Sequence, residues 1–463
     1  MLSLWDLGVQ DEMLPLIYKM NEHCNITMRT PYGTSTPFKC ERIVKQGAVL
    51  STSLCGSSTS QLTNELDQLV DCGANILNAQ IKAVLFVDDT ITANTNISGL
   101  LKSHEHFMRF SRRKRLSVNG GKCVLIVINP RKDIPHPVLY VDGVEIEVVS
   151  LAKYLGDIIS ANGKNDNLIQ DRVKKGKSII VSALSLCNDL TLGHHYMSSA
   201  LLLHKVVFLA AVLFNSQAWT NITKSQLKQL TTIQLKYLKR TLQVPNSAPN
   251  AFTFLELGVL PVEYEIHRRQ LMFLHHIHTL PSDDPVNMIF QQQKLLPNEK
   301  NWWNAVAKLL DQYELSDSDY TTIDKDEWKF LVDTNVNDHA FRKLQQECRD
   351  MSKTYHLKYE IFQRQSYITS CPSNIARLIF RIRGKILNCR DNHHSSNPIT
   401  TCRLCETYIE TQNHTINCKK VCPSDDIISL QTYMSDNFEI DLDQLQKIEE
   451  RYKQFQELCS RRK

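Results

Sequence analysis

The N-terminal residues 2–28 carry a rough helical stripe of apolar positions, Leu4, Leu7, Met13, Leu14, Ile17 and Met20, which predicts helix. Pro15 lies inside the stripe and divides or kinks it. A turn follows at "TPYGTSTPF". The period then shifts: Ile81–Val87 reads as a β-rich run and Thr90–Ala93 as a partner, so the segment predicts strand, turn, strand, with Asp88 and Asp89 at the bend. Asn96–Leu116 predicts an amphipathic helix with Ile97, Leu100, Leu101, Phe107 and Met108 on one side. "GGKCVLIVINP" predicts a strand entered through Gly120–Gly121 and stopped by Pro130, with short strands at Val138–Val141 and Val144–Val149. From about Asp166 to Leu280 long amphipathic helices take over, broken at "QVPNSAPNAF" by two prolines. Residues 281–395 are more polar and predict helices with loops, and Leu442–Arg461 predicts a charged terminal helix. The fold class is α+β: a mixed front and a helical back, without internal repeats.

Length adds that 463 residues suffice for two to four domains with a real core. Hydrophobic content of 42% and charged content of 22% are those of an ordinary soluble protein. A net charge of +5 permits a nucleic-acid partner without arguing for one. The basic runs "SRRKR" (Ser111–Arg115) and "RVKKGK" (Arg172–Lys177) read, taken alone, as solvated helix faces. The start has no basic region followed by an apolar core, as a signal peptide would. The longest apolar run, Leu201–Phe214, is interrupted by His204 and Lys205 and is too short to span a bilayer, so it predicts a buried helix and no membrane partner. The 14 cysteines are mostly scattered, which suits a reduced, intracellular setting, nuclear or cytoplasmic alike.

Two adjacent carboxylates at a strand end need compensation, from solvent or from a cation. A Ca²⁺ loop starting at Asp88 would want acidic or amide side chains at its third and fifth positions, Gly at its sixth and Glu at its twelfth. Thr90, Thr92, Ala93 and Gly99 stand there, and that possibility fails. A plain hairpin turn with two exposed aspartates remains one explanation. The other is a two-Mg²⁺ site, for which polymerases use hard oxygen ligands on a rigid strand end.

At the C-terminal end, "CRLCETYIETQNHTINC" spaces Cys402, Cys405, His414 and Cys418 as C-x2-C-x8-H-x3-C. Three thiolates and an imidazole suit a closed, structural, tetrahedral Zn²⁺ site, against the alternative of free cysteines on a loop. Cys422 is a rival fourth ligand, and His393 and His394 lie close in sequence.

"LFVDDT" resembles the F/Y-x-D-D motif of reverse transcriptases, in the form found in non-LTR (LINE-type) retrotransposons. "IVKQGAVLSTSL" is similar to that family's G-x-x-Q-G-x-x-L-S-P segment, with Ile43 and Thr52 replacing a glycine and the proline; "LSVNGGKC" resembles L-x-x-N-x-x-K-T, with Cys123 replacing threonine. "KYLGDIISANG" resembles the segment that ends the palm. "LFNSQAW", "LELGVLPVEYEIHRRQL" and the C-C-H-C knuckle extend the likeness to about residue 420.

The resemblance implies an incomplete palm, an antiparallel sheet with helices, over 1–150. A helical thumb and connection over 151–285, a helical C-terminal region over 286–395, a zinc knuckle over 396–425 and a charged terminal helix over 426–463 would follow. It implies RNA-directed DNA synthesis with Mg²⁺ or Mn²⁺, on an RNA template and a DNA primer or target, from deoxynucleotides. Asp88 would bind metal with Asp89 in support, Gln46 and Gly47 would lie along template and nucleotide, and Lys122 would lie near the phosphates. The family's other metal-binding aspartate precedes the helix that "LWDLGV" resembles and would fall before Met1, as would fingers and any endonuclease; Asp6 does not replace it. The expectation is a chain inactive as a polymerase by itself, with a non-enzymatic nucleic-acid-binding retrotransposon remnant as the alternative. "RLIFRIRGK" and "SRRKR" are candidates for contacts with phosphates, and Trp302, Trp303 and Tyr320 could stack bases or, more simply, pack the core.

Overall fold

The computed structural model describes residues 4–5, 8–22, 24–40, 50–130, 135–189, 195–296, 300–393, 399–423, 426–435 and 438–461. They form two compact units, one of Met1–Ala152 with Pro281–Leu295, the other of Lys153–Leu280 with Leu296–Lys463.

In the first unit the apolar stripe is divided: Leu4 and Trp5 are helical, residues 8–12 are turns and irregular chain, and the helix Met13–Glu22 follows. Pro15 sits in the first turn, where its missing N–H costs no intrahelical bond. Cys24–Ile26 leaves the helical period to pair antiparallel with Phe38–Cys40, a long-range contact that periodicity does not reveal. Further antiparallel pairs join Arg29–Thr30 to Gly33–Thr34, Ala74–Ile76 to Ala79–Ile81, Ala83–Phe86 to Asp89–Thr92 and Tyr140–Val141 to Val144–Glu145. Val124–Ile126 instead pairs parallel with Glu147–Val149. Among the described residues the strands thus pair two by two. The short antiparallel ladders are compatible with the expected mix of strands and helices, with one ladder parallel, and strands this short gain from packing on helices.

Two helices supply that packing. Ser51–Asp67 escapes the sequence pattern because its small and polar residues give little apolar period, yet Leu62 and Leu66 are buried. Ile97–Arg113 starts at Asn96, whose side chain accepts from the Gly99 N–H at 2.7 Å. A Cβ on Gly99 would meet the Asp71 carbonyl oxygen at 2.6 Å, so the helix enters where only glycine fits. Phe110 packs on Leu62 and Leu66, while Met108 packs on Leu139, Val141 and Ile146.

In the second unit Asp166–Asp189 packs on Lys224–Thr241, and a Cβ on Gly176 would press on Ile233 and Val212 at 3.1 Å, tighter than ordinary contact. The apolar run is helical but only one face of it is buried: Leu201, Phe208, Leu209, Val212 and Leu213 turn inward while Leu202, Val206, Val207 and Phe214 are exposed, and His204–Phe208 widens into a π turn. Its interrupting residues separate: His204 is buried against Phe208 and Tyr237, whereas Lys205 is exposed. At the proline-broken loop Lys239 is buried and donates to the carbonyls of Asn246 and Ala248 and to Asn250 Oδ1 at 2.6–2.7 Å. The terminal helix is Leu442–Arg461, with Leu445, Ile448, Phe455 and Cys459 turned inward.

Candidate active site and C-terminal metal centre

Phe86 pairs with Asp89, leaving Val87 and Asp88 as the two turn residues of the hairpin. Ala83 and Leu85 pack toward Leu62 and Leu66 while Val84 and Phe86 are exposed, the two-residue period of a half-buried strand. Val87 is held at φ 57°, a left-handed conformation that costs about 1–3 kcal/mol for a residue of this kind. Its carbonyl accepts from the Cys55 thiol of the neighbouring helix at 3.3 Å. Burial, then the nearby Asp88 carboxylate, push that thiol's pKa up. Nothing in the sequence singled out Cys55. Asp88 and Asp89 are both exposed, so water stabilises their charge and a cation from solvent has access to them.

Lys122 ends a short 3-10 turn, Gly120–Lys122, and is exposed. Among the described residues no hydrogen bond or ion pair joins it to either aspartate. Gln46 and Gly47 lie outside the described residues, as does Asp6. A surface depression of about 460 Å³ in this unit is lined by Gln61, Asn64, Glu65, Arg113 and Lys114 and includes neither aspartate.

The cysteine–histidine segment folds back on itself. Thr401 and Ile409 form an antiparallel bridge, and the Cys402 N–H donates to the Tyr408 carbonyl at 2.7 Å. The Leu404 N–H points to Cys402 Sγ at 3.4 Å. Thr411 caps the helix Gln412–Asn417 by accepting from the His414 N–H at 3.0 Å, which fixes the imidazole's place. Cys402 Sγ and Cys418 Sγ lie 3.9 Å apart, and Cys405 Sγ lies 3.4 Å from His414 Nε2. All four ligand atoms fall within 4.8 Å of one another. A tetrahedral zinc ion with Zn–S bonds near 2.3 Å sets its sulfurs about 3.8 Å apart. The donor set and the spacing therefore fit zinc.

Burial, with Cys402 and Cys405 adding to it, pushes the Cys418 thiol up to about 12; burial lowers the His414 pKa. Thiols crowded this way resist ionising together, and a divalent cation reverses that cost. Cys422, the rival ligand, is outside the group, with its Sγ 3.9 Å from the Asp426 carbonyl. The His393 and His394 side chains lie outside the described residues.

Residues 12–159 match the family model of reverse transcriptase (RNA-dependent DNA polymerase). A search of curated proteins finds no match. The matched stretch holds Asp88, Asp89, Gln46, Gly47 and Lys122, and reverse transcriptases generally work with divalent metal ions on a nucleic-acid template and nucleotides. The cysteine–histidine group lies outside it. No helix among the described residues is long and apolar enough to cross a membrane.

Beyond the matched stretch, the basic segment "RLIFRIRGK" is partly internal, with Arg383 buried and Arg377, Arg381 and Lys385 half-buried. Arg383 is fully buried on Glu256, Arg377 donates to the Thr241 carbonyl and covers the Tyr196 ring, and Arg381 donates to the Gln243 carbonyl at 2.6 Å. Arg172 of "RVKKGK" is likewise buried on Asp157, under the Phe214 ring. In "SRRKR", Arg112 and Arg113 are exposed but face Asp142 and Glu65. Trp302 and Tyr320 are buried, Trp302 donating to the Gln217 carbonyl at 2.8 Å, so both serve the core.

Proposed function

We propose that this chain is the reverse-transcriptase region of a non-LTR, LINE-type retrotransposon protein, serving RNA-directed DNA synthesis during target-primed insertion. The observation that carries the reading is the position of Asp88 and Asp89: two exposed carboxylates, one in the hairpin turn and one on the first residue of the returning strand, inside the matched stretch. Such a tip can present oxygen ligands to the ions that activate a primer 3′-hydroxyl and steady the departing pyrophosphate. Asp88 would be the ligand, with Asp89 beside it and Lys122 toward the nucleotide phosphates. The order of the motifs at Gln46–Gly47, Asp88–Asp89, Asn119–Lys122 and Lys153–Gly156 supports the LINE-type assignment.

A second reading has its own support. Among the described residues the sole group of three or more metal-ligating side chains is the C-terminal one; no third ligand accompanies Asp88 and Asp89. Two-metal catalysis needs more carboxylate than one hairpin tip gives. The chain alone would then bind nucleic acid without extending a primer. The C-terminal group, in this reading, is a structural zinc knuckle held by Cys402, Cys405, His414 and Cys418.

Primer extension on an RNA template with Mg²⁺ or Mn²⁺ separates the two. Extension by the purified chain that disappears in Asp88→Ala supports the polymerase. No extension, with RNA binding that weakens as salt rises, supports the binding remnant. Neither extension nor salt-sensitive binding would sink both.

A further inference from the structure

Glu410 is fully buried, and its polar partners lie in the cysteine–histidine segment and in the Arg390–Asp391 stretch before it. Its carboxylate accepts from the backbone N–H of Arg403 at 2.8 Å, inside the C-x2-C turn, and from the backbone N–H of Arg390 at 3.0 Å. The Arg403 guanidinium closes on the same carboxylate, with Nε 3.0 Å from both oxygens and a terminal nitrogen 2.7 Å away. Through its own backbone, Glu410 donates to the Thr400 carbonyl at 2.7 Å and directly precedes Thr411, the cap of the helix that carries His414.

Glu410 therefore links the two halves of the ligand set: its side chain holds the Cys402–Cys405 turn, and its backbone leads directly into the cap of the helix that carries His414. Arg403 extends the link. It donates to the Asn388 carbonyl at 3.0 Å and lies over the Phe455 ring of the terminal helix at 5.6 Å. Phe455 and Cys459 in turn pack against Cys402, Leu404, Cys418 and Val421.

We propose that Glu410 is a positioning residue for the C-terminal metal site: clamped by Arg403, it sets the Cys402–Cys405 turn against the His414 helix so that four ligands converge before an ion arrives. The inference rests on the zinc reading above. A carboxylate that neither ligates nor touches solvent, yet fixes the backbone of a ligand turn, acts as partners outside the ligand sphere of metal sites do; losing such a partner typically weakens metal binding about 10- to 100-fold. Glutamine in its place keeps the shape and one acceptor but loses the charge that closes the arginine fork.

The test uses the full chain. Zinc affinity is measured by competition with a chromophoric chelator, and the Co²⁺-substituted spectrum reports ligand geometry. Thermal unfolding is followed with and without metal. Glu410→Gln is expected to bind one zinc about 10- to 100-fold more weakly, with an altered Co²⁺ spectrum, while the exposed Glu406→Gln binds like the parent and controls for net charge. Arg403→Lys, which retains the charge but not the fork, should shift affinity in the same direction and covers the case in which Glu410→Gln fails to fold. Affinity within threefold of the parent in both variants, even with a lower Tm, would mean that the pair is only structural and would overturn the proposal. A parent chain that binds no zinc, and is unaffected by His414→Ala, would overturn the zinc reading itself, a different outcome from intact binding in the variants.

Discussion

Replacing Arg383 by Met tests the most enclosed charge in the second unit. Arg383 and Glu256 are both fully buried. The guanidinium donates through Nε to both carboxylate oxygens at 3.0 and 3.1 Å, and also to the carbonyls of Tyr433 and Ser435. Glu256 further accepts from Tyr359 Oη at 2.6 Å and from Tyr367 Oη. Methionine fills similar volume but leaves the carboxylate with two phenols and strands two carbonyls. Removing one partner of a buried pair costs about 3–5 kcal/mol. At about 2 °C per kcal/mol for a large domain, Tm should fall about 6–10 °C. The double variant Glu256→Leu/Arg383→Met removes both charges together and should be less destabilised than Arg383→Met alone. Urea and thermal unfolding of the parent, both single variants and the double variant complete the cycle. A single-variant loss under 1 kcal/mol, or a double variant as damaged as the sum of the singles, would refute the claim that the two charges depend on each other.

Burial lowers the His204 pKa to about 3, and its Nε2 has no hydrogen-bond partner among the described residues, so the unfolded chain takes up a proton near pH 6.5 that the folded chain refuses. Stability from this group is present above that pH and falls as pH drops, by about 2 kcal/mol at pH 5; urea midpoints at pH 7 and 5 should show the loss, and His204→Phe should reduce it. At the alkaline end burial raises the pKa of Tyr359 and Tyr367 well above 10.0, with the Glu256 charge adding to it. Their contribution is intact below pH 10 and lost above it, so ultraviolet titration of phenolate should show these tyrosines ionising only as the fold opens. Asp157→Ala would leave buried Arg172 with Asp171 at 3.6 Å as its remaining acidic partner and should cost about 2–4 kcal/mol in denaturant unfolding, whereas exposed Lys174→Ala should change little.

Local order fixed much of this protein in the sequence itself. The Asp88–Asp89 hairpin, the helix capped by Asn96, the terminal helix and the C-x2-C-x8-H-x3-C spacing were legible because each depends on residues within a turn or two. Tertiary structure decided the rest. It ended the helix Met13–Glu22 where it did, since the next strand, Cys24–Ile26, finds its partner at Phe38–Cys40, sixteen residues beyond Glu22. It built the helix Ser51–Asp67 from residues with little apolar period because Leu62 and Leu66 find Phe110. It chose Cys418 over Cys422, which spacing left open, by the cap that orients the short helix before them. Above all it moved arginines that read as surface charge into the core. A basic residue shows its charge in the sequence, but Glu256 lies far from Arg383 along the chain, and only folding brings the carboxylate that makes burial of that charge affordable.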